Sequence, residues 1–343
     1  MNILVTGGAG YIGSHATQRL LRDGHRVTVL DSLVRGHQAP IRLLQREFGD
    51  RLSFVQCDIG DGERVEQVLR EARTEAVMHF AALAYVGESV DDPLRYYRAN
   101  ASGALSLIEA CARAGVTRFV FSSTCATYGE PDATFIPIPE TCPQSPINPY
   151  GRSKLHVEHM LFDLAHACAR AKPAQPFGFA ALRYFNVAGC DRSGVLGEDH
   201  RPETHLIPRI LHTLLGHHQS VTVFGTDYPT PDGTCIRDYV HVEDLVDAHV
   251  KVLGALRDGD ARTYNLGIGH GYSVKEVIAS VERVTGKKVP VVFGERRAGD
   301  PPKLFANPAK VEREVGWRAQ VRDIDDIVRS AWRWHERHPH GYE

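Results

Sequence analysis

Lysine is scarce in this chain: it supplies only 8 of the 40 basic side chains, and the first stands at position 154. Arginine carries positive charge elsewhere, so a lysine kept at one chosen place points to a task for a compact ammonium on a flexible stem. Net charge is also nearly absent, at −2. That argues against nucleic acid or an anionic membrane as a partner. No apolar run reaches the ~18 residues of a membrane-crossing helix. The opening residues, Asn2-Ile3-Leu4-Val5-Thr6, lack the basic and apolar regions of a secretory leader. The seven cysteines are an odd number and contain no Cys-x-x-Cys pair. They suit a reducing, cytoplasmic compartment and argue against a disulfide framework. The nearest histidine clusters, His156/His159 and His217/His218, lack a third suitably spaced ligand, so no metal is expected.

What is present reads as an α/β enzyme. Short β-rich runs at 2–6, 26–30, 52–56, 75–80 and 116–121 alternate with helical patterns at 12–22, 61–73 and 93–114. This rhythm predicts a Rossmann-type, doubly wound parallel sheet. A helix is expected over 149–171, with Asn148 as N-cap and Pro149 at N1. Beyond about residue 185 the pattern loosens into helices near 205–216, 243–257, 273–285 and 323–337, with short strands such as 289–293 between them. We expect residues 1–185 to form the nucleotide-binding domain. Segments near 235–270 return to it, and 177–184 and 263–266 add strands to the main sheet. Residues 186–343 then form mainly a smaller α/β substrate-binding lobe on the C-terminal side.

Three groups of residues carry the chemistry. Gly7, Gly10 and Gly13 lie directly after a strand and before a helix, with Tyr11 and Ile12 between them. Glycine allows the tight turn and a close backbone approach to a pyrophosphate, and the helix N-terminus attracts its charge. Asp31 ends the second strand, where an acid binds ribose hydroxyls and favours NAD over NADP; Arg35 nearby tempers that preference. Asp58 ends the third strand, where it can accept from an adenine amino group. Phe80-Ala81-Ala82 ends the fourth with small residues over which a cofactor can lie. In the third group, Tyr150 and Lys154 share a helix face at i and i+4. An ammonium beside a phenol lowers the phenol's pKa, which suits an activated tyrosine base. Thr124, at the carboxyl end of a strand, can hydrogen-bond both a substrate hydroxyl and the phenol oxygen.

Together these residues resemble the extended short-chain dehydrogenase/reductase superfamily, and within it the UDP-glucose 4-epimerase family. The resemblance rests on Thr6–His15, on Ser122-Ser123-Thr124-Cys125-Ala126-Thr127-Tyr128-Gly129 and on Asn148–Lys154. It continues through Leu182–Asn186, Phe224–Tyr228, Asp232–Val242, Tyr264–Gly267 and Arg296–Asp300. It implies catalysis by Thr124, Tyr150 and Lys154. It implies NAD contacts at Ser32, Leu33, Gly36, Ile59, Leu83, Asn100, Ser122 and Phe185, beside the positions already named. A UDP-sugar would meet Asn186, His205, Leu206, Thr222, Val223, Phe224, Tyr239 and Asp300, with Arg237 and Arg297 clamping its phosphates.

The chain departs from the family pattern at Ala84, where some members carry a lysine, at His205, where some carry asparagine, and at Leu304, where a large aromatic narrows the sugar pocket. Leucine there leaves room for an N-acetyl group. A dehydratase would need an acid pair after Thr124, and the chain has Cys125-Ala126. Epimerisation of a UDP-pentose or an N-acetylated UDP-sugar stays open as the alternative, and a catalytically inactive NAD-sensing protein is a more distant one. The resemblance further implies a homodimer built on helices 93–114 and 149–171.

Overall fold

The computed structural model describes residues 1–296 and 300–342. Its first strands are short, and the inner ones are buried on both faces, as strands covered by helices on either side must be. They are β1 (Asn2–Thr6), β2 (Arg26–Asp31), β3 (Leu52–Gln56) and β4 (Ala76–His79), linked by α1 (Tyr11–Arg22), α2 (Gln38–Phe48) and α3 (Gly62–Glu71). Next come α4 (Val86–Asp91), α5 (Pro93–Tyr96), α6 (Gly103–Ala114), β5 (Arg118–Thr124), α7 (Pro149–Arg170) and β6 (Gly178–Tyr184). The remaining elements are β7 (Asn186–Ala188), α8 (Leu206–Leu214), β8 (Val221–Phe224), β9 (Ile236–Arg237), β10 (Tyr239–His241), α9 (Val242–Ala255), β11 (Ala261–Leu266), β12 (Tyr272–Ser273), α10 (Val274–Thr285), β13 (Val291–Gly294), β14 (Lys303–Leu304), α11 (Ala309–Val315) and α12 (Ile324–Arg337).

Seven strands form the central sheet in the order β11-β6-β5-β4-β1-β2-β3. The pairs β3–β2, β2–β1, β1–β4 and β4–β5 run parallel. Strand order reverses at β1 and β4. In open sheets of this type ligands bind at such a switch point, beyond the carboxyl ends of the strands. Here that places the Gly7 turn and Phe80 side by side.

Contacts divide the chain into two units. The first takes Met1–Gly129, Gln144–Arg183 and Val246–Tyr264; the second takes Glu130–Pro143, Tyr184–Leu245 and the chain from Asn265. Leu4, Leu30, Val77, Phe119 and Phe121 form a buried cluster with Leu107, Val157 and Leu161 in the first unit. In the second, Ile207, Leu211, Val221 and Val223 pack with Val277, Val281, Ile327 and Val328.

Where the elements differ from the sequence reading, the causes are local. The single helix expected over 93–114 is interrupted by a π-helical turn, Tyr97–Ser102, between α5 and α6. Such insertions mark positions where one side chain is turned to a particular use. Here it is the buried Asn100, whose amide accepts from Leu83 N at 2.8 Å and donates to Leu83 O at 2.9 Å and Ser153 Oγ at 3.0 Å. Helix α2 is an element that the alternation above does not include; its Pro40 lies in the first turn, where a missing N–H costs nothing. The strand expected at 116–121 begins at Arg118 and continues to Thr124, so Ser122 and Thr124 belong to β5 itself.

A buried ion pair joins three of these elements. Arg183 on β6 donates to Glu158 on α7 at 2.6 and 3.0 Å. Ser123 on β5 donates to the same carboxylate at 2.5 Å, and Arg183 also reaches Tyr128 Oη at 2.9 Å. Both charges are almost fully out of water, so this network holds only because each is matched. It fixes α7 along the carboxyl half of β5.

Candidate active site

The turn after β1 admits nothing larger than glycine. A Cβ on Gly13 would lie 2.1 Å from the Gly7 carbonyl oxygen, and one on Gly7 would lie 2.5 Å from Ala81 N. Backbone is thereby brought against backbone at the switch point, and α1 opens at Tyr11 with no side chain capping its N-terminus. An uncapped helix start with the dipole's positive end is suited to a pyrophosphate.

Asp31 sits at the end of β2, 8% exposed. Its carboxylate accepts from Ala9 N at 3.0 Å and Leu33 N at 2.8 Å. Each oxygen retains a further lone pair for a hydroxyl. Burial pushes the Asp31 carboxyl above its ordinary pKa, against the pull of those two N–H groups. Leu33 holds a positive φ of 61°, an uncommon conformation for a branched residue and a mark of a constrained loop. Ser32 and Gly36 belong to the same loop. Arg35 donates to Glu88 at 2.5 Å and lies over the Tyr85 ring at 4.8 Å. Its charge is thus matched by a carboxylate, which weakens it as a receptor for a 2′-phosphate.

Asp58 is exposed and accepts from Gly60 N at 2.7 Å, while Ile59 is buried. Phe80, Ala81 and Ala82 are half-buried beyond β4, and Leu83 is buried under the Asn100 clamp. The chain-like spread of these residues along the carboxyl ends of β1 to β4 is what an extended dinucleotide needs.

Tyr150 is the second residue of α7, whose sequence-predicted cap is in place: Asn148 accepts from Gly151 N at 2.8 Å, with Pro149 at N1. A Cβ on Gly151 would lie 2.5 Å from Ala126 O. The helix start can therefore approach the turn that follows Thr124. Thr124 is buried and accepts from Ala126 N at 3.1 Å. One helical turn beyond Tyr150, Lys154 is 4% exposed. Its ammonium donates to Ser122 O at 2.8 Å and lies 5.0 Å from the centre of the Phe121 ring. Burial brings its pKa down from 10.5 to about 7.

The second unit carries the other group of expected residues. Phe185 is buried, and Asn186 opens β7, where its N–H bonds Asp238 O at 3.0 Å. Arg237 on β9 is paired with Asp300 at 2.6 Å. Its register neighbour on β14 is the buried Leu304. Tyr239 is buried on β10 and Leu206 is half-buried at the start of α8. On β8, Thr222 is exposed and Phe224 half-buried, whereas the Val223 side chain is part of the second unit's apolar core. That leaves Val223 only its backbone for a ligand. Arg297 lies outside the described residues. His205 is engaged with Glu198 at 2.7 Å.

Residues 3–267 match the model of the NAD dependent epimerase/dehydratase family. The chain belongs to that family. It is 45% identical to a UDP-glucose 4-epimerase of Lactobacillus helveticus, over 100% of this chain and 99% of that one. It is 46% identical to a probable UDP-arabinose 4-epimerase 3 of Oryza sativa subsp. japonica, over 99% of this chain and 84% of that one. The crystal structure of UDP-glucose-4-epimerase from Stenotrophomonas maltophila, with bound NAD and formylated UDP-arabinopyranose, superposes with a TM-score of 0.93 at 43% identity, covering 99% of each chain.

Among the described residues, no helix of this epimerase-family chain is long and apolar enough to cross a membrane. None of its seven cysteines is in a disulfide. Two buried polar residues, one in each unit, were not marked by the sequence. His79 at the end of β4 bonds Thr6 Oγ1 at 2.7 Å and stacks on Phe121 at 5.6 Å. Burial, and then Lys154, hold it neutral by lowering its pKa to about 3. Asp238 binds the N–H groups of Ile268 and Ala306 at 2.9 and 3.1 Å. Burial nonetheless raises its pKa to about 7. Apolar periodicity gives no signal for such residues, since each looks like an ordinary polar residue at a strand end.

The buried lysine makes a pH-dependent contribution to stability. Its folded pKa near 7 lies below the unfolded value of 10.5. The unfolded chain therefore binds more protons between these values, and stability rises with pH across that window. We predict that the melting temperature of cofactor-free wild type, relative to Lys154→Met, increases as pH is stepped from 7 to 9.5. A difference that stays flat would show that the lysine is not desolvated.

Proposed function

We propose that this chain inverts C4 of a UDP-hexose, interconverting UDP-galactose and UDP-glucose, with NAD as its cofactor. The observation that carries the reading is Lys154, buried against Ser122 O one helical turn from Tyr150, with Thr124 at the end of the same strand as Ser122. The end-to-end relatedness to a UDP-glucose 4-epimerase supports it.

The first unit's residues fit the cofactor. Gly7 and Gly13 pack backbone against backbone there, which leaves the uncapped start of α1 at the switch point, where a pyrophosphate would bind. Asp31 has lone pairs that would hold the adenosine ribose, and the Asn100-clamped Leu83 segment would contribute to holding the rest of the cofactor. NAD, when bound, supplies the acceptor and donor of the C4 hydride. Lys154 brings positive charge to the phenol of Tyr150 and favours its ionised form. Tyr150 then takes the proton of the 4-OH as the C4 hydride departs, leaving a 4-keto sugar. Thr124 holds that oxygen. Tyr150 returns the proton when hydride comes back to the opposite face of C4. No net redox change results.

Reversal of the face requires the sugar to turn while the nucleotide stays anchored, so the affinity belongs on UDP. We assign the diphosphate to Arg237 and Arg297 and the neighbouring contact to Asn186. Leu206, Thr222 and Phe224 are assigned to the uridine. Arg237 would exchange Asp300 for phosphate, a better match for its two-pronged donor set. Cys125-Ala126 after Thr124 provides no acid pair to eliminate water, which separates this chain from the dehydratase branch.

A UDP-pentose is the second reading, favoured by the 46% identity to a probable UDP-arabinose 4-epimerase. Leu304 in place of an aromatic also favours tolerance of an N-acetyl group. Assays with UDP-galactose, UDP-GalNAc and UDP-arabinose supplied separately rank these substrates, and no turnover of UDP-GalNAc would remove the N-acetyl reading.

We propose further that the chain works as a cytoplasmic homodimer. Val86, Val90, Leu94 and Leu105 on α4, α5 and α6 are exposed, an apolar set that a second copy would cover. Sedimentation should give twice the 38.0 kDa chain mass, and Leu94→Asp should shift it toward the monomer; a monomeric wild type at micromolar concentration contradicts the assignment.

Tyr150→Phe is expected to lower kcat by roughly 10²- to 10⁴-fold, the usual worth of a positioned acid/base. NAD and UDP should still bind, as read by calorimetry. Near-normal turnover in that variant would overturn the mechanism.

A further inference from the structure

Four side chains converge in the loop before α8, away from any role assigned above except that of His205. They are Glu198, His200, Glu203 and His205, and one potential ligand atom from each lies within 4.8 Å of all the others. His205 Nδ1 stands 2.7 Å from Glu198 Oε1 and 3.3 Å from Glu203 Oε1. His200 Nδ1 stands 3.2 Å from Glu198 Oε1 and 3.5 Å from Glu203 Oε2. Ligands ~2.0–2.1 Å from a tetrahedral Zn²⁺ are about 3.3 Å apart, so the spacing is already close to that of a coordination shell.

A second observation is independent of the clustering. Glu203 is 7% exposed, and its buried Oε2 makes no well-formed hydrogen bond, with only the long 3.5 Å approach of His200 Nδ1 beside it. A buried carboxylate oxygen so loosely partnered is costly, and a cation closer than the imidazole would offset that cost. We propose that Glu198, His200, Glu203 and His205 form a zinc-class divalent cation site. Two imidazole nitrogens and two carboxylates are a hard-to-borderline donor set that suits Zn²⁺, and all four ligands coming from the protein make the site structural. The His205 side chain is 46% exposed, which gives the ion an entry path.

The spacing explains why the sequence did not reveal it. The cluster combines carboxylates with histidines over eight consecutive residues, Glu198-Asp199-His200-Arg201-Pro202-Glu203-Thr204-His205. The expectation of no metal came from counting histidines and cysteines alone. His205 is also the N-cap residue of α8, and Leu206 is that helix's first residue. An ion here would fix the entry to α8, so His205 would act by holding the loop rather than by touching the sugar nucleotide.

Without an ion, protons hold the four groups together. Burial alone would lower both imidazole pKa values, but hydrogen bonds and charge from Glu198 and Glu203 push His200 up to about 9 and His205 up to about 10. Burial would raise the Glu203 carboxyl, and the two imidazoles hold it well below its ordinary range. From α12, His335 stays neutral, lowered to about 4 by burial and by His212 on α8. Zinc must therefore displace protons from His200 and His205.

The test uses the full chain, stripped with a chelator and desalted, and titrated with Zn²⁺ alone at pH 7.5 by calorimetry in two buffers of different ionisation enthalpy. We expect one ion per chain, proton release on binding, and a rise in melting temperature with Zn²⁺. Glu203→Gln and His200→Gln should each weaken binding at least 10-fold and remove the thermal shift, whereas His217→Gln/His218→Gln should leave both unchanged. Circular dichroism confirms that each variant is folded, and either of the first two suffices if the other is not. Absence of stoichiometric binding to wild type, or binding unchanged in the folded variant, shows a proton-held ion-pair cluster only and overturns the proposal. The readout is metal binding, so the result stands apart from the epimerase reading.

Discussion

The hydrogen bond from the Lys154 ammonium to the Ser122 carbonyl is the constraint on which the proposed catalytic geometry depends. It ties α7, one turn beyond Tyr150, to the end of β5, two residues before Thr124. A buried ammonium is costly, and one carbonyl at 2.8 Å with an aromatic face beneath it offsets only part of that cost. The rest of the first unit answers to this. The Arg183–Glu158–Ser123 network holds the same helix to the same strand, and Asn100 reaches Ser153 from the other side. His79, kept neutral nearby, adds no second charge to the site.

The sequence disclosed the parts of the fold that have a period. The alternation of strand and helix, the glycine turn, the capped tyrosine helix and the lone early lysine all follow from spacing and residue type. It concealed the parts that depend on contacts distant in the chain. The π-helical turn at Tyr97–Ser102 reads as ordinary helix because it contains no glycine or proline to break one, and only the bonds of Asn100 to Leu83 and Ser153 give it a purpose. The segment 130–143 joins the second unit against chain order, which no local pattern predicts.

The candidate site shows the same division. Thr124, Tyr150 and Lys154 could be named from spacing and resemblance. The pairing of Arg237 with Asp300, and of Arg35 with Glu88, needed three dimensions, since 63 and 53 residues separate the partners. These pairings have a chemical consequence. An arginine already matched by a carboxylate is held ready in one position, and it gives up that partner only for a better anion. Arg35 faces a carboxylate shared with Arg95 and Tyr96, whereas Asp300 is one-third exposed and pairs with Arg237 at the surface. Arg237 is accordingly the one more readily turned to phosphate.

The central claim is that a hydride leaves and returns at a single carbon while Tyr150 moves one proton. UDP-galactose carrying deuterium at C4 tests this most directly, with the product followed by NMR in ordinary water. The account predicts UDP-glucose that keeps the deuterium at C4, formed without net NADH. Loss of the label to solvent, or its replacement by hydrogen at C4, would contradict it.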